Sequence, residues 1–226
     1  INLGSKSLDA MPGWMDRFVD EWTRLGFVSL EGDSLVPSSP LPKLLEHLSE
    51  GSSVYLATHV TGLKDVEEGI LVTTESDGDR EVSRFDRVIV AIPVEQASEI
   101  ANGLDIDIVG ESIPSIVAWG FCDSIPEEVP EGFRIHDLDN STIMVELSPE
   151  ISGRLIDQDK RSLSKIITDS MGISGEGWKS HKWRYSRASS GPGSVVTKDG
   201  VSFIGDAFGH VIGSSGAALD SASRAV

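Results

Sequence analysis

Residues Val201 to Val226 constrain the fold more than any other stretch of this chain. Val201-Ser202-Phe203-Ile204 is a short apolar run that suits a buried strand; it breaks at Gly205-Asp206, passes a glycine-spaced loop, and restarts after Gly213 as an alanine-rich helix. A strand that ends on a carboxylate, followed by a loop and a helix start, makes a ligand corner. The carboxylate can accept hydrogen bonds from hydroxyls, and N–H groups at Ser214 to Ala217 without intrahelical acceptors give a positive helix end. Such a corner suits a polyol or an anionic group. An ordinary strand, loop and helix with a solvated Asp206 is the other reading.

The rest of the chain supplies the elements of an α/β protein. Trp14, Met15, Phe18, Val19, Trp22 and Leu25 recur at helical spacing and predict an amphipathic helix over 12–25. Short strands follow at Phe27 to Leu30 and Ser34 to Val36, around a Gly32-Asp33 turn. Pro40-Leu41-Pro42 then opens a helix that carries Leu41, Leu44, Leu45 and Leu48 on one face. The β-branched run Val54 to Leu63 predicts a strand, and Gly69 to Thr74 with Glu81 to Phe85 predict a hairpin around Asp77-Gly78. Val88 to Ile92 is continuously apolar, as in a strand buried on both faces, and Pro93 ends it before a helix over 94–101.

The texture then changes. Ser115 to Phe121, Phe133 to Leu138 and Ser141 to Leu147 predict strands of a second sheet, with helix between Pro149 and Met171. In Trp178 to Ala188, a period of two places His181, Trp183 and Tyr185 on one face and Lys182 and Arg184 on the other. Trp183 and Tyr185 suit either a flat wall for a planar substrate or packing beneath the sheet. A linker rich in Ser and Gly over 189–194 returns the chain to the corner.

Several of these motifs together resemble the FAD-dependent amine-oxidase superfamily, and within it the renalase-like oxidoreductases. Phe203-Ile204-Gly205-Asp206-Ala207 with Gly213, Gly216, Ala217 and Ala218 is similar to that superfamily's C-terminal flavin motif. Asp86-Arg87-Val88-Ile89-Val90-Ala91-Ile92-Pro93 is similar to the strand that closes its FAD domain, and His181-Lys182-Trp183-Arg184-Tyr185 to a renalase-like segment with Lys182 in place of an Arg. The resemblance implies a FAD/NAD(P)-binding amine-oxidase-like fold, here truncated, with an α+β substrate domain inserted. It implies a connecting helix and hairpin over 1–37, a FAD-binding piece over 38–95, the substrate domain over 96–197 and a C-terminal FAD-binding piece over 198–226.

It also implies roles. Asp206 would hold a ribityl hydroxyl of FAD, with Gly205, Gly213 and the backbone of Ser214, Ser215, Gly216 and Ala217 beside the flavin ring, and the backbone at Val60 would receive the adenine. Trp183 and Tyr185 are the candidate substrate residues; no catalytic base and no metal site is assigned. The implied reaction is hydride transfer from an amine or a reduced nicotinamide to flavin, with oxygen taking the electrons. A non-catalytic flavin-fold subunit, or a desaturase or protoporphyrinogen-oxidase relative, stands as the alternative.

One expected part is missing. The superfamily grips the pyrophosphate with a G-x-G-x-x-G turn after an N-terminal strand, and no such motif occurs in these 226 residues. Residue 1 is Ile and Val226 stops inside an apparent helix, so the chain is expected to be a piece of a longer one, or to be completed by such a segment from another chain.

Charge and cysteine content narrow the setting. A formal net charge of −17 repels nucleic-acid phosphates, so the expected partner is a small molecule. No apolar run approaches the roughly 20 residues that span a bilayer. Cys122 is alone in an apolar run, which suits a packed thiol and a cytoplasmic location.

Overall fold

The computed structural model describes residues 6–7, 16–31, 34–39, 41–126, 128–138, 141–174 and 177–225. It opens with β1 (Lys6–Ser7), α1 (Asp16–Arg24), β2 (Val28–Glu31), β3 (Ser34–Pro37) and α2 (Leu41–Leu48). β3 lies between β1 and β2 in an antiparallel sheet, with Val28 opposite Pro37. The expected Gly32-Asp33 turn and the helix start at Trp14 and Met15 lie outside the described residues. Leu45 and Leu48 of α2 are exposed, so the leucine face read from the sequence is only partly covered.

A meander follows: β4 (His59–Val66), β5 (Gly69–Ser76) and β6 (Asp79–Phe85). Asp77 and Gly78 both have positive φ, 54° and 87°, the geometry that lets a two-residue turn match the twist of its strands. The strand expected over 54–63 forms only from His59, where pairing with β5 begins. Val54, Tyr55 and Leu56 precede it as exposed, irregular chain.

Next come β7 (Val88–Val90), α3 (Val94–Ala101) and a 3₁₀ turn (Asn102–Leu104). Pro93 caps α3 with φ −51°, an angle its ring fixes in advance. β8 (Glu111–Phe121), β9 (Phe133–Asp137), β10 (Thr142–Leu147), α4 (Pro149–Leu155), α5 (Lys160–Met171) and β11 (Lys179–Ser190) then build the second unit. Its antiparallel sheet runs β11-β8-β10-β9. The chain closes with β12 (Val196–Lys198), β13 (Val201–Phe203) and α6 (Ser215–Ala225). β13 sits between antiparallel β12 and parallel β7, with Phe203 opposite Val90.

Two apolar cores result. The first joins the meander, α3 and β13 through Ile70, Val94, Ala97, Val201, Phe203 and Phe208, all 1% exposed or less. The second lies between the β8-β10 face and the helices, through Ile116, Val145, Leu163 and Ile167, all fully buried. β7 departs from the expectation of a strand covered on both faces: Val90 enters the first core, but Ile89 is 53% exposed. Side chains alternate between the two faces of a strand, and the face that Ile89 points to is uncovered.

Local chemistry fixes α5 between the cores' boundary loops. Asp159 caps it: Oδ1 accepts the N–H groups of Arg161 and Ser162, both at 3.0 Å. The Ser162 hydroxyl, the largest contributor, and these two amides together hold the Asp159 carboxyl below its usual 3.8. A depressed folded value means that the cap stabilises the helix above the unfolded carboxylate range and that this is lost as pH falls through the folded value. Asp159→Asn is therefore expected to lower the urea midpoint at pH 6, with the gap to the parent chain closing at pH values below about 3.8. An equal gap at both pH values would contradict the charged-cap reading.

Candidate functional site

The corner forms where β13 ends. Gly205 follows with φ +135°, a conformation open in practice only to glycine, and a side chain placed there would meet nothing nearer than a Phe208 ring carbon at 3.9 Å. A ligand can therefore approach this backbone closely. Ser221, reaching back from α6, receives the Gly205 N–H on its hydroxyl at 2.9 Å and so ties the helix to the strand end. Ser221 is fully buried, and nothing in the sequence pattern marked it, because a serine inside a helix usually bonds only its own turn.

Asp206 does more than present a carboxylate. Its Oδ2 accepts the backbone N–H of Ala188 at 2.7 Å, and Ala188 is a buried residue of β11 that packs into the first core. The Asp206 carbonyl accepts the N–H of Gly213 at 3.0 Å, which closes the loop. Gly213 has φ +78°, and a Cβ there would stand 2.3 Å from the Ala188 carbonyl oxygen. The Ala188 N–H is thus bonded by the corner loop, and the Ala188 carbonyl lies against Gly213. Among the described residues no other hydrogen bond reaches the Asp206 carboxylate, so its second oxygen can serve a ligand hydroxyl.

The helix end is narrower than expected. Ser214 caps α6, its hydroxyl accepting the Ala217 N–H at 3.0 Å while donating to the Val211 carbonyl at 2.8 Å. The Ser214 N–H bonds the Val211 carbonyl. Ser215 and Gly216 are the first residues of α6.

The other predicted site residues lie elsewhere. Val60 is on β4 opposite Thr74, at an irregularity before Gly62; its strand joins the first core through Leu63, alongside Phe203 and Phe208. Trp183 packs its ring on His181, centroids 4.2 Å apart, as alternation requires. On the opposite face the Lys182 ammonium donates to the carbonyls of Ile156 and Gln158, both at 2.7 Å, and Arg184 pairs with Asp157. Neither cation is simply solvated. Tyr185 escapes the alternation because the pairing with β8 shifts between Trp183 and Arg187, which leaves it in a bulge, 37% exposed. From Tyr185 to Ala188 is about 10 Å of strand. A cavity of about 370 Å³ next to this stretch is lined by Arg187, Ser186, Arg134 and Glu146 among others. Among the described residues no cluster of His, Cys, Asp and Glu could hold a metal ion.

Residues 15–107 match the sequence model of the family described as flavin containing amine oxidoreductase, which is less than half of the chain. No protein of curated function matches it in sequence. Among solved structures, it is similar to the OxyS anhydrotetracycline hydroxylase from Streptomyces rimosus, with 15% identity and a TM-score of 0.56 over 86% of this chain and 42% of that one. BexE, from BE-7585A biosynthesis, is 14% identical with a TM-score of 0.60 over 92% and 49%. The flavin-dependent monooxygenase PieE, solved with FAD and substrate, is 18% identical with a TM-score of 0.52 over 84% and 37%. At these identities the likeness is one of fold, that of flavin-dependent oxidoreductases, and the chain spans less than half the length of each structure.

Removing the Asp206 side chain strands the buried Ala188 N–H, which costs about 1–3 kcal/mol. Asp206→Ala is expected to lose that much in urea unfolding, whereas Asp206→Asn, which keeps an acceptor oxygen, loses less. Equal losses for the two would show that the Ala188 bond does not set the stability of the corner.

Proposed function

We propose that this chain carries the flavin-ring side of a FAD-dependent oxidoreductase. The observation that carries the reading is the corner at the carboxyl end of the parallel β7-β13 pair: a carboxylate with one oxygen unengaged, an open glycine backbone and a helix start. Ligands of open α/β sheets bind at the carboxyl ends of strands. The corner also fits the group: Asp206 offers an acceptor to a ribityl hydroxyl, Gly205 admits close approach, and the Ser215 and Gly216 amides offer a positive end to the ring's pyrimidine side. The backbone near Val60 is assigned to the adenine.

Bound FAD would supply the redox chemistry, hydride acceptance from an amine or a reduced nicotinamide with oxygen as the final acceptor. The chain's own part is placement and charge. Trp183, braced by His181, and Tyr185 in its bulge are assigned to the substrate wall on β11, the strand that Asp206 anchors. A second reading, flavin-dependent hydroxylation, is favoured by the fold likeness to hydroxylases and a monooxygenase.

A further segment completes the site in this reading. β7 is a sheet edge with Ile89 exposed, and Val54, Tyr55 and Leu56 stand uncovered; a glycine-rich strand-turn-helix, from the same chain or another, would cover such surface and grip the pyrophosphate. No helix of the described residues is long and apolar enough to cross a membrane. The buried Cys122 thiol, donating to the Ser124 carbonyl at 2.8 Å, suits a reducing cytoplasm.

The full-length protein is expected to purify with FAD, and Asp206→Asn to weaken FAD retention about tenfold or more. Anaerobic bleaching of the flavin by an amine or a dihydronicotinamide supports the hydride reading. Incorporation of an oxygen atom into an aromatic substrate supports hydroxylation instead. A full-length protein that contains the glycine-rich turn yet takes up no flavin would overturn both.

A further inference from the structure

The second unit holds a concave surface of about 750 Å³ where α5 passes the first residues of β11, and none of the corner's residues lines it. Lys160, Arg161, Lys165 and Lys179 line it, four of the 19 lysines and arginines in a chain of net charge −17. One carboxylate, Asp169, shares the lining. Among the described residues none of the four cations takes part in an ion pair.

Helix stability alone would not place the charges there. Lys160 and Arg161 occupy the first turn of α5, which has no acidic residue, so they oppose the helix dipole. Arg161 and Lys165 stand one turn apart, a like-charge spacing that disfavours a helix. The Asp159 carboxylate satisfies the helix start through the amides of Arg161 and Ser162 and the Ser162 hydroxyl, and it forms no ion pair with any of the four cations. The helix is stabilised by its Asp159 cap instead, and a cationic cluster that adds nothing to folding marks a place kept for another use.

The walls are also fixed. The Ser180 hydroxyl on β11 donates to the Lys160 carbonyl at 2.8 Å, which pins the helix start to the strand. The buried Trp178 donates its indole N–H to the Phe121 carbonyl at 3.1 Å and fills the space over Gly120. Trp119, half-buried, adds an aromatic surface to the lining.

From this juxtaposition we infer that the α5-β11 cavity binds a small phosphorylated molecule, its phosphate held by Lys160, Arg161, Lys165 and Lys179. Phosphate is the group that several clustered cations recognise together. The strongly acidic remainder of the surface repels an extended polyanion, whereas a ligand small enough to sit within the cavity escapes that repulsion. Trp119 offers a face to a ring carried by the phosphate.

Calorimetric titration of the flavin-loaded full-length protein with inorganic pyrophosphate and with adenosine 5′-diphosphate tests this. Saturable one-to-one binding that weakens with added salt is expected, and weakening of about tenfold or more in Arg161→Ala/Lys165→Ala. Lys179→Glu, on the strand, provides a second variant that leaves the helix sequence intact, and Arg80→Ala on β6 is expected to bind as the parent does. Tighter binding of the nucleotide that Trp119→Ala removes assigns an organic phosphate; equal binding of both assigns the phosphate group alone. No saturable heat with either probe, or affinities unchanged in both the helix and strand variants, would overturn the site.

Discussion

The hydrogen bond from the Ala188 N–H to Asp206 Oδ2 ties β11 of the second sheet to the loop that follows β13. β11 belongs by pairing to the second sheet, where Lys179 to Trp183 run beside β8. Its far end belongs by packing to the first core, which Ala188 enters. One strand thus serves two cores: Arg187 and Ala188 still lie opposite Ile113 and Ser112 of β8, while the Ala188 N–H turns to the corner. Asp206 provides the acceptor, and Gly213, bare of a side chain, lets the corner loop close against the Ala188 carbonyl. The carboxylate read as a ligand group is therefore also a structural one, and the loop that would face a cofactor is positioned by the substrate-side strand.

This coupling has a chemical use. A hydride donor and its acceptor must be held at close range and fixed angle, and the advantage comes from positioning them before reaction. In the proposed reading, a strand that carries Trp183 and Tyr185 and is bonded three residues after Tyr185 to the corner would set that distance through the backbone. The bulge before Arg187 turns the strand between its two allegiances, a common device next to sites. The fold is shared at 13% and 20% identity with an aromatic hydroxylase and a Diels-Alderase, as expected where one scaffold carries different chemistries.

Much of this was legible in the sequence where a local rule governs. The Asp77-Gly78 hairpin, the helix after Pro93, the strands of the second sheet and the strand-Gly-Asp-loop-helix corner all follow from turn chemistry or periodicity. What escaped depended on partners distant in sequence. Val54 to Leu56 has strand composition but gains no neighbouring strand. Ile89 reads as core, yet it lies on an uncovered face of β7. Tyr185 follows its alternation until β8 shifts register. The same holds for charge: the basic residues form no stripe along the chain, yet α5 and β11 bring Lys160, Arg161, Lys165 and Lys179 to one cavity. Ser214 was read as a ligand amide, whereas its hydroxyl caps its own helix.

The central claim is that the flavin corner and the β11 strand form one mechanical unit through Asp206. Hydrogen–deuterium exchange of the full-length protein, with and without FAD, tests it directly. The account predicts that FAD slows exchange in the segment over 186–190 together with that over 205–217. Protection confined to the corner, or absent from both segments, would contradict it.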